Sequence, residues 1–366
     1  MNVLHINTER SWRGGEQQTL YLAAGMHARG IPASIVCPPG TELEKRARER
    51  GVDVHPLTMR GEWDLAAALA IRKHIKRGSF DIVHMHTSHA HTLGVAAAGF
   101  GKSARTVVSR RVEFSIFRHP FSMSGIKYRF GVTRYIAISQ AVKNQLIKDG
   151  IKKDKISVVH SGIDLSRFDN IESQAVRQEF GIDADVPLIG TVAHFAKFKG
   201  QEYLLDAFNQ VRQHLPDARL ILVGGGERFD EIKATAEAFG LSDTVIFPGF
   251  RKDVPELIRA MDIFVMPSFK EGLCTSILDA LALERPVVAS RAGGIPEIIL
   301  HEETGLLVPP KDPEAMAKAI LRLAGDPDLA QTLARKGRRR VEEIFSVDSM
   351  VEGVLQVYRN LLGEPA

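Results

Sequence analysis

Short apolar runs alternate along the chain with longer segments in which apolar residues recur every three or four positions. This alternation is typical of parallel β-sheets covered by helices. The pattern runs once through the first half of the chain and restarts near Leu188. The predicted strands are Val3 to Ile6, Ser34 to Val36, Val54 to Leu57, Ile82 to Met85, Thr106 to Val108, Tyr135 to Ile138, Leu188 to Val192, Leu220 to Val223, Val245 to Phe247, Ile263 to Met266, Val287 to Ala289 and Gly305 to Val308.

The segment from Gly162 to Gly181 contains no clear strand and separates the two cycles. We therefore predict two doubly wound domains, residues 1–165 and 166–345, which suits a chain of 366 residues. Helical patterns at Leu329 to Glu343 and Val347 to Leu362 end the chain. The last of them, within 346–366, has no strand after it and is expected to pack back on the first domain.

The composition is that of a soluble protein, with 44% hydrophobic and 25% charged residues and no long apolar run. Met1 to Ile6 runs directly into a strand, which argues against a secretory signal and predicts a cytoplasmic protein. Cys37 and Cys274 are too few and too far apart for a disulfide framework or a cysteine-rich metal site.

Charge is distributed unevenly. Residues 1–165 hold 25 Lys and Arg against 13 Asp and Glu, whereas the remainder holds 23 against 31. A basic first half favours an anionic acceptor or an anionic lipid surface, although a solvated surface gives the same count.

Loops that leave the strands of open α/β sheets form ligand sites, so they are the first place to look for chemistry. In the first half, Gly14 and Gly15 precede a helix and allow backbone amides to approach a phosphate. His84, His86, His89 and His91 cluster at the end of one strand and in the loop after it. No Cys or carboxylate nearby completes a zinc set, so polar residues of a binding site are favoured over a metal site.

The second half carries a more specific pattern. His194 and Lys199 lie between a strand and a helix, where cations suit a pyrophosphate. Glu271 precedes a helix that contains Asp279, and such a carboxylate pair can bind sugar and ribose hydroxyls. The segments Gly293 to Glu297 and Thr304 to Val308 follow as turn, short helix and strand.

In this order the motifs resemble those of the retaining glycosyltransferases of family four, which have the GT-B fold. The elements that carry the resemblance are Gly14 and Gly15, His86, Ser161 to Asp164, His194 with Lys199, Glu271 with Asp279, the GGxxE segment from Gly293 and the TGxLV segment from Thr304. The resemblance covers nearly the whole chain. It implies two Rossmann-like domains that face each other across a cleft, the first for the acceptor and the second for a nucleotide sugar.

The resemblance also implies roles for individual residues. His86, Lys199 and Glu271 would be catalytic, with His86 near the anomeric centre. The implied donor-binding residues are Gly14, Gly15, His194, Lys199, Glu271, Gly272, Leu273 and Asp279. Glu16, Arg110 and Arg111 would bind the acceptor. The donor is then a substrate, and no cofactor or metal is expected; Asp183, Ala184 and Asp185 match a DXD metal motif but precede a strand in a predicted turn.

Two positions depart from the family pattern. His194 stands where an Arg is usual, which replaces a fixed bidentate charge with a titratable one that Lys197 can supplement. Asp279 stands where a second Glu is usual and shortens the reach to the ribose by one methylene. Both leave the nucleotide preference open.

Aromatic and basic residues alternate between Phe114 and Arg134, a composition that favours an anionic glycolipid interface but also suits RNA or a buried helix with a charged edge. Together with the resemblance, this composition implies a hexosyltransferase of cell-envelope polysaccharide or lipopolysaccharide synthesis with a glycan or lipid-linked acceptor, peripheral on the inner face of the plasma membrane and without a nucleic-acid partner. A nucleotide-sugar epimerase of the same fold and a non-catalytic nucleotide-sugar-binding protein are the alternatives.

Overall fold

The computed structural model describes residues 1–99, 104–116, 128 and 130–364. The chain forms two compact units. Unit 1 comprises Met1–Gly162 with Ser346–Ala366, and unit 2 comprises Ile163–Phe345. The division falls three residues before the boundary expected from the sequence, and the C-terminal segment belongs to unit 1.

Unit 1 is built on a seven-stranded sheet in the order β3-β2-β1-β4-β5-β6-β7, and every strand pair is parallel. The strands are β1 Val3–Ile6, β2 Ala33–Cys37, β3 Asp53–Pro56, β4 Ile82–Met85, β5 Arg105–Arg110, β6 Arg134–Ala137 and β7 Ile156–Val158. Its described helices are α1 Gly14–Ala28, α2 Glu42–Glu49, α3 Leu65–Gly78, α4 Ser88–Ala97, α5 Gln140–Lys148 and the C-terminal helix Val347–Leu362.

The C-terminal helix packs on α1 and buries its apolar face in the core of unit 1. Gly25 of α1 permits this close approach, because a Cβ at that position would lie 2.6 Å from Cγ2 of Val351. Tyr358 is fully buried, which places a phenol from the end of the chain beneath the sheet. The last helix is therefore part of the core that supports the first sheet.

Unit 2 has a six-stranded parallel sheet in the order β10-β9-β8-β11-β12-β13. Its strands are β8 Leu188–Val192, β9 Arg219–Val223, β10 Val245–Gly249, β11 Ile263–Met266, β12 Val287–Ser290 and β13 Leu306–Val308. Its helices, numbered on from α5, are α6 Gln174–Glu179, α7 Gln201–Val211, α8 Phe229–Ala238, α9 Val254–Ala260, α10 Thr275–Ala282, α11 Ile295–Ile298, α12 Pro313–Gly325 and α13 Pro327–Ile344. We refer to the C-terminal helix of unit 1 as α14.

The structure differs from the sequence-based prediction in two places: β7 was not predicted, and His89 and His91 were placed in a loop. β7 has three residues and follows a turn rich in lysine, so its apolar pattern is too short to recognise. His89 and His91 lie within α4 and not in a loop, because Thr87 caps the helix by accepting a hydrogen bond from the Ala90 amide.

Two further observations bear on the membrane. Of the aromatic and basic segment from Phe114 to Arg134, residues 117–127 and 129 lie outside the described residues. Among the residues that are described, no helix is both long and apolar enough to span a bilayer.

Candidate active site

In unit 2, two loops that leave adjacent strands are joined to each other. The Phe269 amide donates to the carbonyl of Phe198, connecting the loop after β11 to the loop after β8. Gly200 has φ +70°, and a Cβ there would lie 2.6 Å from the Pro267 carbonyl oxygen. Only glycine fits this position, and it brings Lys199 against the loop that carries Glu271.

Lys199 and Glu271 form a buried ion pair. Nζ of Lys199 donates to Oε1 of Glu271 at 2.6 Å, and the two side chains are 16% and 9% exposed. Burial alone lowers the pKa of Lys199, but the carboxylate of Glu271 outweighs it and raises the pKa above its ordinary value. Lys199 therefore remains charged, and the two partners that the sequence placed 72 residues apart share one site.

Asp279 lies in α10, the helix that follows Glu271 in the chain. Its Oδ1 atom is inaccessible and has no hydrogen-bond partner among the described residues. Burial raises the pKa of Asp279 from 3.8 to about 6, and the charge of Arg167 offsets this in part. An unpaired buried acceptor of this kind is costly, and a hydroxyl group of a ligand would satisfy it.

The residues just before α10 prepare the helix start. Gly272 and the buried Leu273 lead into Cys274, which is the N-cap residue. Burial and the charge of Glu271 raise the pKa of the Cys274 thiol to about 12, so it stays neutral beside the ion pair. The first amides of α10 therefore lie close to Lys199 and carry the partial positive charge of a helix N-terminus.

His194 is more exposed than Lys199. Its Nε2 lies 3.1 Å from Oε2 of Glu227, and both side chains are more than half exposed. The glycines after β9 support this loop: Gly226 has φ +153°, and a Cβ there would approach Cε1 of His194 at 2.8 Å. The backbone at Gly226 therefore supports His194, while the imidazole is exposed to solvent.

In unit 1, three imidazoles meet at the carboxyl ends of β1 and β4. His84 and His86 have ring centroids 4.1 Å apart, as strand alternation predicts. His5 of β1 joins them, with Nδ1 3.1 Å from Nε2 of His86. All three are buried. The sequence pattern missed His5, although a histidine inside an otherwise apolar strand was a usable signal.

Hydrogen bonds determine the tautomers of this cluster. Nη2 of Arg111 donates to Nδ1 of His86 at 3.4 Å, so Nε2 of His86 carries the proton and donates to His5. Burial lowers the pKa of His5 to about 3 and the pKa values of His84 and His86 well below the ordinary range. The three rings are therefore neutral at physiological pH.

The second ring of the cluster is held from two sides. Nδ1 of His84 lies 2.6 Å from the hydroxyl of Tyr358 in α14, and Nε2 lies 2.8 Å from the hydroxyl of Ser109 at the end of β5. The C-terminal helix thus contacts the cluster directly.

The nitrogens of these three histidines lie within 4.8 Å of one another, a spacing that a metal ion would accept. The hydrogen bonds above use all of the ring nitrogens except Nε2 of His5, which has no described partner. The guanidinium of Arg111 also opposes a cation. The geometry favours a hydrogen-bonded cluster, and the absence of a metal requirement stays a prediction.

The remaining predicted residues of unit 1 lie at the start of α1 and at the end of β5. Gly14 and Gly15 open α1, and a Cβ on Gly15 would lie 3.9 Å from Cδ of Arg111. Glu16 is buried and accepts from the Arg13 amide at 3.0 Å, so it caps α1 in this conformation. Arg110 donates to the Phe114 carbonyl at 2.6 Å and contacts the hydroxyl of Tyr128. Its contact with an acceptor, like that of Glu16, stays a prediction.

The DXD match lies elsewhere. Asp183 and Asp185 precede β8, at the amino end of the strand whose carboxyl end leads to His194 and Lys199. Strand direction therefore separates these carboxylates from the predicted phosphate ligands by the length of β8.

Comparison with known families assigns both units. The family model for glycosyltransferase family 4 matches residues 12–167, and that for glycosyl transferases group 1 matches residues 172–340. The chain belongs to this glycosyltransferase family. The fold class predicted from the sequence is confirmed, because each unit has the parallel α/β sheet of the GT-B glycosyltransferases.

Relatives of known activity match most of the chain. N-acetyl-alpha-D-glucosaminyl L-malate synthase of Bacillus anthracis is 26% identical over 88% of this chain and 93% of its own length. An Escherichia coli enzyme, UDP-Gal:alpha-D-GlcNAc-diphosphoundecaprenol alpha-1,3-galactosyltransferase, is 24% identical over 82% of this chain and 80% of its own. The crystal structure of Anabaena Alr3699/HepE in complex with UDP covers 98% of this chain and 100% of its own, with a TM-score of 0.84 and 22% identity.

Proposed function

We propose that this glycosyltransferase moves a hexose-type sugar from a nucleoside diphosphate to a glycan or lipid-linked acceptor, with retention of the anomeric configuration and without a metal ion. The reaction would serve the synthesis of cell-envelope polysaccharide or lipopolysaccharide. The donor is a substrate, and no cofactor is required.

The observation that carries the proposal is the Lys199–Glu271 ion pair, which is followed in the chain by a helix with an unpaired carboxylate oxygen on Asp279. A charged lysine near a helix N-terminus suits the diphosphate, which gains negative charge as the sugar departs. Glu271 then holds the hydroxyls of the sugar, and Asp279 accepts from the ribose. These roles give the unpaired Oδ1 atom of Asp279 a partner in the donor.

Further residues are proposed to bind the donor. His194 supplies a positive charge only when protonated, and Lys197 stands close by in sequence to supplement it. Gly272 and Leu273 present backbone at the start of α10, while Gly14 and Gly15 do so at the start of α1. Charge neutralisation by side chains and amides removes the need for a divalent cation.

His86 acts next to the anomeric centre. Its ring nitrogens are engaged by Arg111 and His5, so the side chain is fixed and neutral. Its backbone carbonyl, at the end of β4, is then the group best suited to stabilise positive charge on the sugar. Arg111 supports this position and, with Arg110 and Glu16, is proposed to bind the acceptor.

A lipid-linked acceptor would place the enzyme on the inner face of the plasma membrane. The diphosphoundecaprenol named for the Escherichia coli relative is an acceptor of that kind. The excess of Lys and Arg in residues 1–165 suits such an anionic partner. We expect no nucleic-acid partner.

A donor screen tests the proposal. Purified protein is first melted in the presence of UDP, GDP and ADP and their hexoses, because a ligand of the native state raises the melting temperature. The donor that stabilises the protein is then incubated with candidate glycan and lipid-linked acceptors, and the anomeric configuration of the product is read by NMR.

The outcomes separate the candidate functions. Transfer with retained configuration supports the proposal, and inverted configuration contradicts the mechanism. Conversion of the donor to a different free sugar without an acceptor identifies an epimerase. Stabilisation by a nucleotide sugar with neither hydrolysis nor transfer identifies a binding protein.

A further inference from the structure

Three of the most exposed large apolar side chains of the described residues occur together in unit 1. Trp63, Leu65 and Leu69 are 69%, 76% and 66% exposed. Leu65 and Leu69 are one turn apart on α3, and Trp63 precedes the helix. Apolar side chains exposed as a group mark an interaction site more often than scattered ones do.

The same face of α3 becomes basic toward its C-terminus. The helix buries Ala67, Ala68, Ile71 and Ile75 against the protein, which leaves the opposite face outward. Lys73 and Lys76 continue the line of Leu65 and Leu69 along this face, with Arg72 and Arg77 on either side. The helix contains no Asp or Glu, and these four cations form no ion pair with any residue in the described ranges.

Strand direction places this surface at a defined edge of unit 1. α3 follows β3, so its N-terminus lies at the carboxyl edge of the parallel sheet, the edge at which His86 follows β4. A hydrogen bond confirms the proximity, since Thr92 of α4 donates to Glu62 at 3.3 Å and α4 begins two residues after His86. The apolar tip, formed by Trp63, Leu65 and Leu69, therefore lies at the same edge of the sheet as the imidazole cluster.

We propose that Trp63, Leu65 and Leu69 insert into an anionic lipid surface while Lys73, Lys76, Arg72 and Arg77 contact its headgroups. Leu65 and Lys76 are about 16 Å apart along the helix axis, so the apolar tip can enter the acyl boundary while the basic half stays among the phosphates. Proteins bind RNA through base stacking and phosphate contacts, and the aliphatic side chains of Leu65 and Leu69 contribute to neither. A lipid surface therefore fits this helix better.

The inference rests on the proposed function in one respect: a surface at this edge would present His86 and the arginines Arg110 and Arg111, where β5 ends, to an acceptor held in the membrane. Vesicle binding itself needs neither donor nor acceptor. It can therefore succeed or fail independently of transfer.

The test is cosedimentation of the full-length protein with two kinds of vesicle, phosphatidylcholine alone and phosphatidylcholine mixed equally with phosphatidylglycerol. We expect binding to the anionic vesicles that weakens at high salt. The triple variant Trp63→Ser, Leu65→Ser, Leu69→Ser and the double variant Lys73→Glu, Lys76→Glu should each lose about tenfold or more in affinity.

Matched controls come from other exposed positions. Phe250→Ser removes an apolar side chain that is 81% exposed in unit 2, and Lys152→Glu with Lys153→Glu reverses two exposed charges elsewhere in unit 1. Both controls should bind like wild type. In a Trp12→Phe background, the emission of Trp63 should shift to shorter wavelength on addition of anionic vesicles only.

Three results would overturn the proposal: no binding by folded wild type, equal binding by the α3 variants and the wild type, or a lysine-dependent affinity for RNA with no effect of the leucine changes on vesicles. If vesicles bind as expected but no donor is ever transferred, the proposed function fails and the surface stands. If transfer to a soluble acceptor proceeds in every variant but vesicles do not bind, the surface alone fails.

Discussion

The carboxyl edges of the two sheets carry opposite kinds of polar chemistry. In unit 1, three buried histidines are neutral and are held by hydrogen bonds, between His5, His86 and Arg111 and from His84 to Tyr358 and Ser109. In unit 2, Lys199 and Glu271 are a charged pair, and the helix that follows Glu271 in the chain carries an unpaired carboxylate oxygen of Asp279. The first arrangement fixes geometry, and the second supplies charge that a diphosphate can use.

The difference suggests how each region responds to mutation. A neutral hydrogen-bonded cluster loses stability when a partner is removed, because the other partner is left buried and unsatisfied. In a charged site that binds a ligand, mutation of a charged residue lowers the ligand affinity and the rate of catalysis. Removal of a costly buried group from such a site can also raise the free energy of unfolding. The following predictions test this contrast.

The largest effect is expected at the ion pair. Lys199→Ala and Glu271→Gln should each lower the rate of transfer by more than about 100-fold, because each removes a charged group that stabilises the transition state. Lys233→Ala and Glu237→Gln, exposed positions on α8, are the matched controls. Initial rates are measured at saturating acceptor, with circular dichroism to verify folding. Wild-type turnover in either ion-pair variant would refute the site.

Asp279→Asn should separate stability from binding. The folded protein holds the proton of Asp279 to about pH 6, whereas the ordinary value is 3.8, so the free energy of unfolding should fall as pH rises through this window and stay lower above it. The Asn variant should lack this fall and be more stable than the wild type at pH 8. The difference should be at most about 3 kcal/mol, and it should be smaller to the extent that solvent screens the Asp279 carboxylate. It should also bind nucleotide more weakly.

Urea titrations of both proteins at pH 4 and pH 8, with nucleotide affinity at pH 8, provide the measurement. Identical pH dependence in the two proteins would show that Asp279 does not titrate in this window. An unchanged affinity would remove its assignment to the ribose.

In unit 1 the expected effect is on stability. Tyr358→Phe removes the hydroxyl that lies 2.6 Å from Nδ1 of His84 and should lower the free energy of unfolding by about 1–3 kcal/mol. Tyr203→Phe is the control, because its hydroxyl has no hydrogen-bond partner among the described residues. Chemical denaturation checks both variants. If the two are equally stable, the contact of α14 with the histidine cluster contributes nothing.

A smaller effect is expected at His194. Replacement by Arg should extend activity to more alkaline pH, because a guanidinium keeps its charge where an imidazole loses it. His214→Arg, an exposed histidine elsewhere in unit 2, is the control. The pH profile of kcat is compared for the three proteins. An unchanged alkaline limb in His194→Arg would mean that His194 is not the titrating ligand of the phosphate.

Chelation should have no effect on the rate, since we propose that Lys199 and backbone amides neutralise the diphosphate and the DXD match lies at the amino end of β8. Assays in EDTA, with and without added magnesium or manganese, test this. Loss of activity in EDTA that either metal restores would contradict the metal-independent mechanism.

Much of the fold follows from the sequence because parallel strands are short, fully buried and apolar. β1, β4, β8 and β11 have the predicted bounds, and the helix Val347–Leu362 was predicted with both ends. β7 escaped because three residues cannot establish a period. The paired positions of unit 2 were recognisable because Lys199 and Glu271 occupy loops after strands.

Contacts between elements that are distant in the chain could not be predicted from the sequence. His5 and Tyr358 reach the histidine cluster from β1 and α14, and nothing local to either residue indicates which partner it meets. The same holds for Arg167, whose charge acts on Asp279 from the segment that read only as a linker. Glu16 had an acidic position suited to an acceptor, but its cap of α1 depends on the turn geometry.

The division of labour between the two edges can be tested by binding alone. Calorimetric titration with the preferred nucleoside diphosphate is compared for the wild type, Lys199→Ala and His86→Ala. The account predicts that Lys199→Ala loses most of the affinity, whereas His86→Ala, which removes the hydrogen-bonded ring that fixes the position of the backbone carbonyl, binds the nucleotide nearly as well as wild type and yet transfers the sugar more slowly. Retained affinity in Lys199→Ala together with lost affinity in His86→Ala would contradict it.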